Sequence, residues 1–203
     1  SRYGDWLETS SLLSVIQVKL IFFGGSFDPP HRGHYEIIRK CSKLCHRFII
    51  MPTLNSPLKN KISTTAPHHI LHMLKLLIQD IDSTIEIDEY DISRPGPSYS
   101  VETIRYLQQK YPKSSISMIV GADQLMKFQQ WKEYNEIINS VNIIGFKRAN
   151  YDFTPLPGMN ITWIEDFNMD ISSVEIRKDI AAGELNKNVI FSTLINYIFE
   201  NNL

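Results

Sequence analysis

The chain has 203 residues, 43% of them hydrophobic and 21% charged, with 21 basic against 22 acidic side chains. That is enough apolar material for one ordinary core, and it excludes general disorder. A net charge near zero with no basic run argues against a nucleic-acid partner, and no apolar stretch reaches the roughly 20 residues needed to span a membrane.

The two cysteines, Cys41 and Cys45, stand four apart on an expected helix, where a disulfide would be strained. Free thiols in a reducing, cytoplasmic compartment are therefore expected. Residues 1–17 carry Asp5 and Glu8 ahead of a short apolar patch (Leu12, Leu13, Val15, Ile16), whereas a secretory signal would begin basic. They read as a flexible N-terminal extension, with residues 18–203 forming a single domain.

Beyond residue 17, strand and helix alternate. Residues 18–23 are β-branched and aromatic and end in Gly24 and Gly25, which predicts a buried strand entering a tight turn. From about His34, the positions Ile37, Ile38, Cys41, Leu44 and Cys45 keep helical spacing. Residues 47–51 predict a second strand stopped by Pro52, residues 67–79 a helix opened by Pro67, and residues 84–87 a third strand. Val101, Ile104, Leu107 and Tyr111 mark a third helix. Residues 115–120 predict a fourth strand ending at Gly121, with a helical region through Ile138. Residues 141–146 and 161–164 complete the strands, and residues 173–182 and 189–200 form two closing helices. This alternation implies right-handed crossovers and a Rossmann-like α/β fold, a parallel sheet of five to six strands flanked by helices. Such sheets take ligands at the carboxyl ends of their strands, so chemistry is expected in the loops after Phe23, Met51 and Val120.

The first loop reads Gly24, Gly25, Ser26, Phe27, Asp28, Pro29, Pro30, His31, Arg32, Gly33, His34. Glycines after a strand let the backbone approach a ligand and offer its N–H groups to anionic oxygens. His31 and His34, three apart at a helix start, face one side of the turn beside the positive end of the helix dipole, an arrangement suited to a polyphosphate. The spacing is neither the dinucleotide fingerprint nor a P-loop. Near the end stand Ile171, Ser172, Ser173, Val174, Glu175, Ile176 and Arg177. Serines ahead of a helical pattern cap it and leave first-turn N–H groups for a ligand, while a guanidinium one turn on grips phosphate oxygens.

These two segments resemble a known family. The first loop is similar to the H-x-G-H signature of the nucleotidyltransferases, in the fuller form G-G-x-F-D-P-x-H-x-G-H of the bacterial nicotinate mononucleotide adenylyltransferases. The second resembles their I-S-S-T-x-I-R motif, with Val174 where Thr is usual. Between them, residues 52–59 resemble the P-x-x-x-P-P-H-K loop, with Lys59 at the lysine and Leu58 in place of His. Pro97, Ser98, Tyr99, Ser100 and Thr103 resemble P-S-Y-T-x-x-T, and Gly121, Ala122 and Asp123 resemble G-x-D. Trp131 matches a tryptophan that stacks on the pyridine ring, and Arg148 matches an arginine only weakly, because Ala149 and Asn150 replace Pro-Gly. The resemblance runs from Lys19 to the C-terminus.

The resemblance implies adenylyl transfer from ATP to nicotinate mononucleotide, giving deamido-NAD and pyrophosphate, a step of NAD biosynthesis. It implies ATP-binding roles for Gly24, Gly25, Ser26, Phe27, His31, His34, Gly121, Asp123, Ser172, Ser173, Ile176 and Arg177. Ser26, Phe27, Lys59, Tyr99, Ser100 and Trp131 would bind the mononucleotide, and His31, His34 and Arg177 would be catalytic. Mg²⁺ would arrive with ATP, and no metal ligands are assigned to the protein; His68 and His72 share a helical face but no carboxylate or thiolate completes a site. The amide substrate, nicotinamide mononucleotide, stays open, as does a non-catalytic nucleotide sensor. So does a homo-oligomer. A phosphopantetheine adenylyltransferase fits less well, because those chains are typically shorter and lack the Gly-x-Asp and Trp segments.

Overall fold

A computed structural model describes residues 17–59, 61–147, 151–165, 167, 169–184 and 186–203, with the backbone alone for Lys59 and Lys61. Residues 1–16 of the expected extension, and Arg148, lie outside them.

The apolar run that opens the described chain forms β1 (Val18–Gly25), followed by α1 (Arg32–Cys41) and β2 (Arg47–Pro52). Two-residue strands β3 (Asn55–Ser56) and β4 (Lys61–Ile62) pair as an antiparallel ribbon that the sequence pattern does not announce. Then come α2 (Pro67–Ile78), β5 (Glu86–Ile87), α3 (Ser100–Lys110) and β6 (Ser114–Val120). The chain continues through α4 (Ala122–Leu125), α5 (Tyr134–Ser140), β7 (Asn142–Phe146), β8 (Ile161–Ile164), α6 (Ser173–Ala181) and α7 (Ser192–Glu200).

Six strands form one parallel sheet in the order β5-β2-β1-β6-β7-β8. From β1 the chain builds outward through β2 and β5, then returns to the other side of β1 and builds through β6, β7 and β8. The order reverses between β1 and β6, and a crevice opens there at the carboxyl edge.

Because successive strand residues face opposite sides of a sheet, the central strands feed two cores. Ile21, Phe23, Phe48, Ile50 and Ile144 pack with Ile38 of α1, Leu74 of α2, Ile176 of α6 and Leu194 of α7. Leu20, Phe22, Ile49, Met51, Met118 and Ile143 pack with Ile104 and Leu107 of α3, Leu125 of α4 and Ile137 of α5. Each fully buried Leu or Ile contributes roughly 2 kcal/mol. No helix among the described residues is long and apolar enough to cross a membrane.

Three expectations change. The helical region through Ile138 is two short α-helices and a 3₁₀ turn (Phe128–Gln130), because the backbone is extended at Trp131 and left-handed at Glu133 (φ 51°). The third strand is confined to Glu86 and Ile87, the residues that meet Ile49 and Ile50 of β2. Between β7 and β8 the described residues contain no helix, although the two strands are parallel.

Candidate active site

The carboxyl ends of β1, β2 and β6 border a cleft open to solvent. Gly24, Gly25, Ser26, Tyr99, Ser100, Gly121 and Trp131, all expected site residues, line it together. The fold thus gathers residues separated by about half the chain, because consecutive strand ends and the start of α3 meet at one edge.

Beside it, the first turn of α1 is built around two imidazoles. His31 caps the helix: its Nδ1 accepts from the Gly33 N–H (3.1 Å) and the His34 N–H (3.4 Å). His34 Nδ1 in turn accepts from the His31 N–H (3.2 Å), and the rings stack with centroids 3.6 Å apart. A ring nitrogen that accepts a backbone N–H carries no proton, so in both neutral imidazoles the proton sits on Nε2. Both rings are thereby fixed as Nε2–H donors.

Phe27 adopts φ 47° and is 1% exposed, its ring edge-on to Phe23 (5.2 Å) and to His34 (4.8 Å). Ile176 is 3% exposed. Both were expected to bind ligand; their side chains are core, so any ligand contact they make comes from the backbone. Asp123 is exposed at the start of α4 and Gly121 just before it, where an added Cβ would sit 2.9 Å from Asp123 Oδ1.

The second motif docks directly on the first. Ser172 caps α6 by accepting from the Val174 N–H (3.2 Å), while Ser173 Oγ donates to the Pro29 carbonyl (2.9 Å). Arg177 Nη1 donates to the Asp28 carbonyl. The Asp28 carboxylate is gripped from its other side by the hydroxyls of Ser63 (2.6 Å) and Thr65 (2.7 Å). Ser173 and Arg177 therefore brace the histidine loop, with Arg177 using Nη1 for the bond shown among the described residues. Val174 is 48% exposed and offers no hydroxyl.

Trp131 stacks on Phe128 (4.8 Å between centroids) and lines the cleft, with its buried indole N–H unpaired among the described residues. Leu58 lines the cleft where the resemblance anticipates His. Lys59 ends a 3₁₀ turn beside it, and its side chain lies outside what is described.

Sequence reasoning passed over a polar floor. Asp91 is 5% exposed, accepts from Thr103 Oγ1 at 2.7 Å and pairs with Arg94 at 3.2 Å. Burial pushes its carboxyl up, against the pull of the Thr103 hydroxyl and Arg94. Thr53 Oγ1 donates to Ser98 Oγ at 2.8 Å beside it. The signal was the Thr103 already singled out, but its partner lies across a loop with no periodic pattern.

Elsewhere, Cys41 is buried and its thiol is pushed up to about 12 by desolvation, and Cys45 is free as well. Of the α2 histidines, His72 stacks on Tyr197 (4.5 Å) and His69 Nδ1 meets its hydroxyl at 2.7 Å. No group of three metal-ligating side chains occurs among the described residues.

A Rossmann strand order with paired imidazoles at the carboxyl edge and a serine-capped, arginine-bearing helix docked on them defines a nucleotidyltransferase fold. The cytidylyltransferase-like family matches residues 22–179. A Prosthecochloris aestuarii protein named "Probable nicotinate-nucleotide adenylyltransferase" is 32% identical over 92% of this chain and 98% of its own length. A Chlorobium phaeobacteroides protein of the same name is 33% identical over 92% and 99%. Among solved structures, Plasmodium falciparum nicotinic acid mononucleotide adenylyltransferase complexed with NaAD superposes with a TM-score of 0.79 at 20% identity, covering 92% of this chain and 97% of that one. The chain belongs to the cytidylyltransferase-like family and, within it, to the nicotinate-nucleotide adenylyltransferases.

Proposed function

We propose that this protein transfers the adenylyl group of ATP to nicotinate mononucleotide, forming deamido-NAD and pyrophosphate. The observation that carries the reading is the stacked His31–His34 pair at the start of α1, whose Nδ1 atoms both accept backbone N–H groups, so that the ring protons sit on Nε2. A phosphate oxygen of the mononucleotide attacks the α-phosphorus of ATP in line. The bond from that phosphorus to the bridging oxygen breaks, and pyrophosphate leaves with the electron pair. The attacking oxygen is already anionic, so no general base is needed, and catalysis rests on position and charge stabilisation.

In this reading the imidazoles donate to the phosphates without first taking up a proton, which would cost them their backbone hydrogen bonds. Arg177, with the starts of α1 and α6, offsets charge on the leaving group. Gly121 and Asp123 would meet the ribose, and Tyr99, Ser100 and Trp131 would hold the pyridine ring. Mg²⁺ would come bound to the triphosphate, with phosphate oxygens and water supplying most of its ligands. Free Cys41 and Cys45 agree with a cytoplasmic setting.

Pyrophosphate release with MgATP and nicotinate mononucleotide tests the reaction. His34→Ala should lower kcat by about 100-fold or more. Turnover of phosphopantetheine instead, or of neither acceptor, would sink the proposal.

A further inference from the structure

Among the described residues lining the cleft, a single side chain carries a positive charge: Lys132. Its Nζ lies 4.4 Å from the centroid of the Tyr99 ring and 2.9 Å from Glu102 Oε1. Glu102 also meets Arg94 at 3.5 Å, and Arg94 meets Asp91 at 3.2 Å. Charges of alternating sign thus run from the floor of the cleft to its rim and sum to zero, ending in an ammonium on a side chain that is 44% exposed. The anion of the lining, Asp91, is already satisfied by Thr103 and Arg94. Tyr99 precedes α3 without capping it through its side chain, and Ser100, the first residue of α3, lines the cleft. The ammonium thus lies over the ring of the residue that opens an 11-residue helix, close to that helix's positive end.

Resting on the reaction proposed above, we infer that Lys132 selects the carboxylate-bearing pyridine mononucleotide over its amide. The two acceptors have nearly the same shape and differ by one negative charge and by the amide's N–H donors, so charge and hydrogen-bond polarity, not shape, must separate them. Lys132 is placed to supply that difference. Its tie to Glu102 holds the ammonium over Tyr99 in the ligand-free cleft, and a pyridine carboxylate would share it. An amide oxygen also accepts from the ammonium, but without the attraction of an opposite charge, so it gains less.

The test compares kcat/KM for nicotinate and nicotinamide mononucleotides at saturating MgATP in the wild type, Lys132→Met, Lys132→Arg and Glu102→Gln. The wild type should prefer the acid, and Lys132→Met should lower the acid-to-amide ratio about tenfold or more, through KM for the acid. Lys132→Arg should keep most of the preference. Glu102→Gln, which loses the ion pair but retains the ammonium, should keep it too. A ratio unchanged in Lys132→Met would assign selection to the backbone N–H groups of α3, and a ratio lost equally in Glu102→Gln would assign it to the ion pair; either overturns the inference. If the wild type uses both acceptors equally, the reaction stands and the selection falls. If it uses neither, the reaction itself falls.

Discussion

In the first turn of α1 a glycine separates two histidines whose rings stack at 3.6 Å. A Cβ on Gly33 would lie 2.9 Å from His31 Cε1 and 3.0 Å from its Nδ1, closer than van der Waals contact allows. His31 cannot move aside without giving up the N–H groups it caps. Gly33→Ala should therefore cut kcat/KM at least about tenfold. Its effect on unfolding free energy should stay small, because Ala recovers about 1 kcal/mol of helix propensity that partly offsets the strain. Steady-state kinetics and urea denaturation on the same sample separate the two effects. Leu58 and Val174 mark the other side of the residue scale. Each stands where the resemblance anticipates a polar side chain, and neither carries a polar group to replace it.

At the scale of elements, α6 is held to the histidine loop by its own first turns. Ser172 caps the helix, and Ser173 and Arg177 bond the carbonyls of Pro29 and Asp28. Ser172→Ala removes the cap and should cost about 1 kcal/mol in chemical denaturation. Because α6 braces the loop, the same change should also raise KM for ATP. The segment from Ala122 to Ser140 shows where reading by pattern stops. It has neither Gly nor Pro, so nothing local interrupts a helix. The breaks come from Phe128, 1% exposed in the core, with Trp131 folded back onto it and Glu133 in a left-handed turn. The ribbon β3–β4 was equally hidden, since two-residue strands have no period to read.

On the scale of the whole molecule, the loop after β5 is fastened to α3 through Asp88. Its carboxylate accepts from Lys110 Nζ (2.8 Å), the Tyr106 hydroxyl (2.8 Å) and the Tyr90 N–H (2.9 Å). Burial pushes this carboxyl up, but the three donors outweigh that and hold it below the usual carboxylate range. A depressed native pKa means the unfolded chain binds the proton first as pH falls. The stabilisation is thus complete above about pH 4 and is lost as pH drops further. Lys110→Met should lower stability by at most about 1 kcal/mol at neutral pH, the lysine being partly exposed. Melting temperatures followed from pH 7 to pH 3 should show the gap between variant and wild type closing.

The sequence by itself determined the alternation of strand and helix, the parallel sheet and the two motifs that dock on each other beside the cleft. Each is a local matter: hydrophobic period, glycines after a strand, serines before a helix, histidines three apart. Tertiary structure decided which loops share the cleft, that Phe27 and Ile176 turn inward, and that Ser173 and Arg177 hold the loop's carbonyls. It also linked Asp91 at the floor of the cleft to Lys132 at its rim through Arg94 and Glu102. Those relations depend on contacts between residues far apart in the chain, set by strand order and by the packing of helices on both faces, and no local pattern encodes them.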